Sequence, residues 1–442
     1  MTEKVAAAAL AILVFGFRLQ SEELALDQAV RIALQHNADV ANAALDVSKS
    51  KDRYSASHTS VYPKLSLYML GSEQLKPITT TIDRGTIEPN SPIGPIPSQD
   101  VHFTTPMQPT GFVLGRVAQP LLTLYRIHLN LKSLEYMTQI AEQKARSKRQ
   151  ETVRNVKQLY YAIEQVQSSL VVTGESIALY KEVERLTDDY VLKQTALESD
   201  LLQAQATLAD AEQSELTLTN QEAKQKEQLN DLLGRDVLTE FTVSSVDEAQ
   251  KPELDLVAAR KRALAQRPEL KQAQLKVKQS EQELRAKKAE YIPDISAEFN
   301  SVTLLNFNSF LPNGSYSVGV SLSWEPFDWG RKKSEMAEKR DTIVQDRNTE
   351  SSTERKVIMD VDDKYRQILQ SWSKLRAAHL SQKAALESLR VSKNQYKVQA
   401  SLLKVVLQSQ TALAQANSDY EHALADYWTA QAEFEYALGE DQ

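Results

Sequence analysis

The chain contains the same pattern twice, separated by about half its length. Residues 33–67 align with residues 263–297 without a gap at an offset of 230, and nine of the 35 aligned positions are identical. Further along, Gly234 aligns with Gly439 at an offset of 205. Such a period is far too long for a solenoid repeat. We therefore expect one large supersecondary unit that occurs twice, rather than an array of small repeats.

The duplication also predicts the domain boundaries. The first structural repeat is expected at 23–234 and the second at 256–440, with a linker or equatorial segment at 235–255 between them. The offset between the copies falls from 230 to 206 along the chain, which implies an insertion in the first copy. A proline-rich loop at about 73–107 accounts for this insertion.

Within each repeat, a helical pattern runs into a proline and strand-like alternation then begins. We expect β-hairpins at about 62–120 and 292–326, and long helical hairpins at about 122–233 and 329–438. The fold class predicted by these patterns is mainly α, with a small number of β-strands in each repeat.

Two segments almost free of glycine and proline indicate helices of unusual length. Only Gly174 interrupts residues 126–192, and neither glycine nor proline occurs between 331 and 394. At about 1.5 Å per residue, each helix would be on the order of 100 Å long. Residues 406–437 place alternating small and large apolar side chains at heptad spacing, which indicates a coiled-coil seam. Helices of this kind must pack against other helices along their length.

Residues 315–324 alternate strictly between two kinds of side chain. One face carries only serine and glycine, and the other carries aromatic and β-branched or aliphatic residues. This period of two, over about 9–11 residues, is typical of a strand that spans a membrane with lipid on one side and water on the other. The predicted membrane-facing residues are Tyr316, Val318, Val320, Leu322 and Trp324.

The neighbouring segments carry weaker versions of the same pattern. The corresponding apolar positions are Ile295, Ala297 and Phe299 in the second copy, and Leu65, Leu67, Met69, Phe112 and Leu114 in the first. Phe327 and Trp329 follow the last strand, where an interfacial aromatic belt would lie. A half-buried sheet in a soluble domain remains the alternative. Four strands cannot close a barrel, so a membrane location requires an oligomer, and three copies would supply twelve strands.

The N-terminus carries an apolar run from Val5 to Phe17 behind one lysine. This length suits the hydrophobic region of a signal peptide and is too short for a membrane helix, so we expect residues 1–22 to be removed on export. The chain has no cysteine. Disulfides, thiolate metal sites and a lipidated N-terminal cysteine are therefore excluded.

The sequence offers little for catalysis or for nucleic acid. Its net charge is -7, and its six histidines are scattered without metal-ligand spacing. No phosphate-binding or nucleophile motif is present, so we expect no enzyme activity, cofactor or metal. Two charged clusters within predicted helices are interpreted as solvated surface: Lys144, Arg146, Lys148, Arg149 and Gln150 in the first, and Asp360, Asp362 and Asp363 in the second.

The order of these elements, present twice, resembles the TolC-family outer-membrane efflux proteins over residues 24–440. ALQHNADV and ALAQRPEL begin the repeats, and VYPKLSL and YIPDISA stand at the helix-to-strand junctions. WEPFDWGRKK at the strand-to-helix junction is the strongest single match, and SDLLQAQATLADAE and VVLQSQTALAQA follow the helical turns.

The resemblance implies a homotrimer in the outer membrane of a Gram-negative-type bacterium. Its twelve-stranded barrel, four strands from each protomer, would contact outer-membrane lipid and continue into a coiled-coil α-helical tunnel in the periplasm. A periplasmic adaptor (membrane fusion) protein and an inner-membrane pump would be its partners. The chain would then conduct drugs, other small molecules or secreted proteins passively. The alternative from another class is a periplasmic coiled-coil scaffold or an adaptor without a channel.

The resemblance also implies that two helical turns, near 191–202 and 397–404, form a periplasmic tip that gates the tunnel. The candidate tip and gate residues are Glu198, Asp200, Lys404, Val405 and Gln408. Both turns depart from the family because neither has its usual glycine, and the second lacks its acidic ring. An ion pair between Asp200 and Lys404 is one way in which this tip could be held closed.

Overall fold

The computed structural model describes residues 22–441 apart from 74, 78, 105–106, 195–196, 247–248, 307–312 and 398–399. The predicted signal segment lies outside the described residues except for Glu22, which begins the first strand. The described chain is mainly helical with a smaller share of strands, as the sequence predicted.

The first copy of the pattern has the order strand, two helices, strands and two long helices. Its elements are β1 (Glu22–Leu24), α1 (Leu26–His36), α2 (Ala38–His58), β2 (Lys64–Glu73), β3 (Thr79–Ile82), β4 (Val101–Thr104), β5 (Pro109–Pro120), α3 (Thr123–Leu192) and α4 (Glu198–Leu233). The second copy repeats this order without the inserted β3 and β4. Its elements are β6 (Phe241–Val243), α5 (Leu256–Gln266), α6 (Pro268–Lys288), β7 (Asp294–Leu305), β8 (Gly314–Ser323), α7 (Arg331–Lys397) and α8 (Leu403–Leu438).

The chain divides into two compact units, and each boundary between them falls inside a helix. The first unit comprises Met1–Asp46, Glu142–Lys271 and Ser352–Gln442, and it contains both long helical turns. The second comprises Val47–Ala141 and Gln272–Ser351, and it contains the four long strands. Each unit therefore draws residues from both repeats.

The heptad seam predicted in α8 is the buried face of that helix. Val406, Leu413, Ala423, Tyr427 and Phe434 are all buried. Ala423 and Tyr427 join a cluster with residues of α7, so the seam packs the two helices of the second hairpin together. The alternation of alanine with aromatic residues lets the helix backbones approach closely while the large side chains fill the gaps.

Each repeat has a break between its two short helices, at Asn37 in the first repeat and at Arg267 in the second. The end of a long helix packs against each break. Gly234 follows α4 with φ +69°, and a Cβ there would lie 2.3 Å from the carbonyl oxygen of His36. Asn37, between α1 and α2, accepts the N–H of Val40 and donates to Leu232 O at 2.9 Å. A side chain at position 234 would therefore collide with backbone that has no room to move.

In the second repeat, Arg267 lies at the helix break between α5 and α6, in the position that Asn37 has in the first. Gly439 ends α8 with φ +76°, and a Cβ there would lie 3.0 Å from the backbone nitrogen of Arg267. The buried guanidinium of Arg267 bonds to Asp360 at 2.9 Å and to the carbonyl oxygen of Ala437 at 3.3 Å. It also lies 5.2 Å from the centroid of the Tyr436 ring. The duplicated geometry is therefore preserved although the residue at the break differs.

The interpretation of two charged clusters as solvated surface holds for Lys144, Arg149 and Asp363, which are exposed, but it is wrong for their other members. Arg146 bonds to Asp441 at 2.8 Å and to the carbonyl oxygen of Gln266 at 2.8 Å, and Gln150 is buried against Gly439 O. Lys148 pairs with Asp39. In the other cluster, Asp360 pairs with Arg267 and Asp362 with Arg260. These side chains fasten the short helices and the chain end to the long helices.

Two segments predicted as loop or linker contain strands. Within the proline-rich insertion, β3 and β4 pair antiparallel, with Thr80 opposite Phe103. In the linker, β6 pairs in parallel with β1, with Glu22 opposite Phe241. Tyr160 of α3 donates to the backbone oxygen of Leu24 at 2.9 Å and so ties this small sheet to the helices.

Candidate membrane sheet and helical tips

The four long strands form one antiparallel sheet in the order β2-β5-β7-β8. Each predicted hairpin is present, and β5 of the first repeat pairs with β7 of the second over ten positions. Within the described residues, β2 and β8 are the edges of the sheet. Their outer N–H and C=O groups have no strand partner in the part of the chain that the structure describes.

The register places most of the large apolar side chains of the four strands on one face. Residues that are directly opposite in paired strands share a face, and Leu65–Val117–Phe299–Val318 is one such row across the sheet. Leu65, Val318 and Val320 are 74%, 83% and 71% exposed, so the described residues leave this part of the face uncovered. The large apolar residues on it are Leu65, Leu67, Met69, Val113, Val117, Ile295, Phe299, Leu305, Tyr316, Val318, Val320 and Leu322.

The assignment of Phe112 and Leu114 to this face is wrong. Leu114 is opposite Tyr68 and Val302, and Phe112 is opposite Leu70. Both therefore lie on the other face, with the serines and glycine of β8. Residues 112–114 are all apolar, so alternation alone could not decide which of them share the face of Leu67. Val113 and Val117 replace them on the apolar face.

The opposite face is polar over the half of each strand nearest the helices. Arg116 and Glu298 form an ion pair across β5 and β7, and Ser321 of β8 donates to the same carboxylate at 2.6 Å. Farther from the helices, the polar side chains on β2, β5 and β7 give way to Tyr68, Leu70, Phe112, Leu114, Val302 and Leu304.

The junction after β8 displays aromatic rings to solvent. Asp328 accepts the N–H of Lys332 at 2.9 Å, which begins α7, and these backbone bonds lower the pKa of its carboxyl. The intervening turn places Trp329 at φ +57° with its side chain 91% exposed. Its ring lies 4.9 Å from that of Phe327 in an edge-to-face arrangement. The predicted belt residues are therefore held together at one end of the sheet.

The first helical turn, between α3 and α4, contains a glutamine in the left-handed region of backbone conformation. Gln194 has φ +58°, and its N–H bonds to the carbonyl oxygen of Val191 at 2.9 Å. Asp200 accepts the N–H of Leu197 at 3.4 Å and so caps α4. Glu198 is exposed beside it. One acidic side chain of this turn, that of Asp200, therefore satisfies a free N–H group at the helix start.

The second helical turn precedes α8. Lys404, Val405 and Gln408 are exposed in its first turns, and the N–H of Val405 bonds to the carbonyl oxygen of Leu402 at 3.0 Å. No ion pair joins Asp200 to Lys404 among the described residues of one chain. All five predicted tip residues are therefore exposed to solvent, and the predicted contact between Asp200 and Lys404 does not join the two turns in the described part of the chain.

A family comparison decides what this architecture is. The sequence matches the model of the outer membrane efflux proteins over residues 29–235 and 259–440, which covers both repeats. The chain belongs to the outer membrane efflux protein family. It is therefore an outer-membrane efflux channel that extends into the periplasm, and the scaffold and adaptor alternatives are not favoured. No curated protein sequence matches the chain.

Solved structures share the fold of this efflux channel at low sequence identity. The outer-membrane channel OprN aligns with a TM-score of 0.77 and 16% identity, over 94% of this chain and 89% of that chain. CusC aligns with a TM-score of 0.78 and 16% identity, over 94% and 92%. The CmeC outer membrane channel of Campylobacter jejuni aligns with a TM-score of 0.76 and 14% identity, over 94% and 85%.

Sequence reasoning missed a group of exposed apolar residues at both turns of the efflux channel. Leu192, Leu197 and Leu202 are exposed around the first turn, and Leu402 is exposed at the second. The sequence could have identified them, because leucines that lie next to a turn and outside the heptad seam have no helix to pack against. They extend the candidate tip from charged to apolar side chains.

The described part of this efflux channel has neither a membrane-spanning helix nor a cluster of metal-binding side chains. None of the described helices combines the length and the apolar character needed to cross a bilayer. The part of the chain that the structure describes also contains no group of three or more histidine, aspartate or glutamate side chains placed to hold a metal ion.

Proposed function

We propose that three copies of this efflux channel close a twelve-stranded barrel in the outer membrane and line a helical tunnel in the periplasm. The observation that carries the proposal is a four-stranded sheet with one apolar face and two unpaired edges. In lipid, an unpaired strand edge leaves N–H and C=O groups without partners, and each costs several kcal/mol. Pairing β8 of one protomer with β2 of the next removes every edge.

Helix α4 supports the same oligomer from the other unit. Its seam is interrupted by Glu215, Glu222 and Gln225, and it leaves Leu216 at 62% exposure. A leucine at this position would be covered by a helix of a neighbouring protomer in a closed tunnel. The mixture of polar and apolar residues on α4 is typical of a helix in a tunnel wall, with water on one side and other helices on the other.

In this trimer, Tyr316, Val318, Val320 and Leu322 face lipid, with Trp324 at the end of the strand. Phe327 and Trp329 lie in the interface on the periplasmic side, where amphipathic rings are favoured. The conducted cargo consists of drugs, other small molecules or secreted proteins, driven by an inner-membrane pump.

The helical turns form the periplasmic tip, which contacts the adaptor and restricts the tunnel. Glu198 and Asp200 supply negative charge from the first turn, and Lys404, Val405 and Gln408 line the second. The exposed leucines next to them give the adaptor an apolar surface to bind. The tip opens when the adaptor changes the contacts of these charged and apolar side chains. The glycines and the second acidic ring of the family are missing here, so opening does not depend on them.

Cross-linking tests the barrel directly, because the chain has no native cysteine. Ser66→Cys in β2 is combined in turn with cysteine at Ser315, Ser317 or Ser321 in β8, all on the polar face. After oxidation in native outer membranes, at least one pair should give covalent dimers and trimers on a denaturing gel, and nothing larger.

The matched control is Ser66→Cys with Arg116→Cys, because these positions are directly opposite within one chain. That pair should cross-link without forming an intermolecular band. Only monomers from every β2–β8 pair, or ladders that continue beyond three chains, would contradict the closed trimer. Recovery of the mature chain as a soluble monomer would contradict the membrane location itself.

A further inference from the structure

The polar face of the sheet carries two cations near the strand ends that adjoin the helices. Lys64 begins β2 and is directly opposite Ala118 of β5, which is in turn opposite Glu298 of β7. Arg116 is two residues away from Ala118 on the same face of β5, and is therefore a diagonal neighbour of both Lys64 and Glu298. The short side chain of Ala118 fills little of the space between the longer side chains around it.

The carboxylate of this group already has its own partners. Glu298 pairs with Arg116 and accepts the hydroxyl of Ser321 at 2.6 Å, and its side chain is only 12% exposed. Arg116 donates to Glu298 from Nη2, and the Arg116 side chain is 55% exposed. Lys64 is exposed and has no ion pair among the described residues. The group therefore offers more positive charge than its own carboxylate neutralises.

The described strands bring no second carboxylate to Lys64. Asp294, the other acidic residue on this face of the sheet, accepts from Arg126 at 2.9 Å and from Thr123 at 2.9 Å. In the proposed trimer, β8 of one protomer pairs with β2 of the next. The residues of β8 on this face are only serine and glycine: Ser315, Ser317, Gly319, Ser321 and Ser323. The positive charge of Lys64 is therefore left for a ligand.

An apolar wall begins directly beyond these cations, on the side away from the helices. The next two positions of this face on β5 are Leu114 and Phe112, and Tyr68 and Leu70 are opposite them on β2. The rings of Tyr68 and Phe112 lie 5.9 Å apart, so they form one continuous surface. At about 3.4 Å per residue, the wall extends about 14 Å from Arg116 to Phe112. An apolar chain that covered it would remove apolar surface from water on both sides of the contact.

We propose that this face binds an amphipathic anion, with its headgroup over Ala118 between Lys64 and Arg116 and its apolar chain along Leu114 and Phe112. The site lines the water-filled lumen of the barrel in the proposed trimer, so it rests on that proposal. Lysine and arginine donate charge-assisted bonds to anionic oxygens, which are about twice as strong as neutral ones. A cation with the same chain would be repelled by Lys64, and a small anion without a chain would gain nothing from the wall.

Single-channel recording with the purified full chain in a planar lipid bilayer tests the site with three probes. Octanesulfonate is an amphipathic anion, octylammonium has the same chain with the opposite charge, and methanesulfonate has the same headgroup without the chain. In an excess of salt, octanesulfonate should reduce the open-channel current in a saturable way, because the bound anion obstructs part of the lumen. The other two probes should leave the current unchanged at the same concentration.

Two pairs of variants locate the headgroup and the chain. Lys64→Gln should raise the half-blocking concentration about fivefold, because a charge-assisted bond is replaced by a neutral one. Lys64→Arg keeps the charge and should be blocked as the parent is. Leu114→Ser should weaken the block by a similar factor, because it removes apolar contact with the chain. Val113→Ser is its matched control, because Val113 is the neighbouring residue on the opposite face, and it should leave the block unchanged.

The outcomes separate this site from the channel itself. The site would be overturned, with the channel intact, if octylammonium or methanesulfonate blocked as strongly as octanesulfonate or if no probe blocked. Full block of Lys64→Gln, or an equal loss in Leu114→Ser and Val113→Ser, would overturn it as well. Absence of current steps from the parent chain would instead contradict the proposed trimer, and the site with it.

Discussion

Two adjacent residues of β8 provide the sharpest test of which face meets lipid. Val318 lies in the middle of the ten-residue strand and points to the apolar face, opposite Phe299. Ser317 is its neighbour and points to the polar face, opposite Asn300. Arginine at either position adds the same positive charge. The surroundings of the new guanidinium are the main difference between the two variants.

The expected magnitudes follow from that difference. An arginine on the lipid face of a barrel costs about 2–4 kcal/mol at the bilayer midplane. One substitution in each of three protomers gives about 6–12 kcal/mol per trimer, if the three positions act independently. Ser317→Arg enters a water-filled lumen, so its cost should stay within about 0.5 kcal/mol.

The assay measures folding into phospholipid vesicles as a function of urea concentration, with trimer formation followed on cold gels. Val318→Arg should shift the folding midpoint strongly to lower urea or abolish assembly, and Ser317→Arg should leave it nearly unchanged. Equal midpoints, or a larger loss from Ser317→Arg, would refute the assignment of faces. Circular dichroism of both variants in detergent checks that the helices still form.

Four further predictions test other parts of the account. Lysine at Val117 should reduce vesicle assembly, whereas lysine at Leu114 should be tolerated, because the register places only Val117 on the lipid face; the reverse order would contradict the corrected register. Gly234→Ala should destabilise the chain by about 2–4 kcal/mol in thermal unfolding, whereas Gly174→Ala, with open space around it, should be neutral or stabilise α3 by up to about 1 kcal/mol. Gln194→Gly should raise the melting temperature of the helical unit, because it relieves a left-handed conformation that costs about 1 kcal/mol; an unchanged or lower value would contradict that strain. Burial raises the pKa of Glu164 above its unfolded value, so its contribution to stability is present in acid and is lost as the pH rises through the folded pKa. Glu164→Gln should therefore be more stable than the parent at about pH 8 and lose that advantage near pH 4, and a gain that is independent of pH would contradict it.

The long helices and β8 could be predicted because their signals are local. Absence of glycine and proline gave the length of α3 and α7, and the serine–apolar alternation of residues 315–323 gave both the strand and its faces. The inserted hairpin was missed, although the run from Thr79 to Ile82 is rich in β-branched residues, because the surrounding prolines favoured a loop.

The remaining features depend on residues far apart in the sequence. The faces of Phe112 and Leu114 are fixed by pairing with β7, because residues 112–114 are apolar without alternation. Arg146 looked solvated on its own helix, but its partner Asp441 lies 295 residues away.

Single-channel recording in a planar lipid bilayer tests the central claim most directly. The purified chain should insert and produce discrete, uniform current steps, because three copies enclose one continuous water-filled path. The Val318→Arg variant should produce almost no insertions at the same protein concentration, and Ser317→Arg should insert as often as the parent. Bilayers that acquire protein but show no current steps would contradict the channel, as would steps of equal frequency from Val318→Arg.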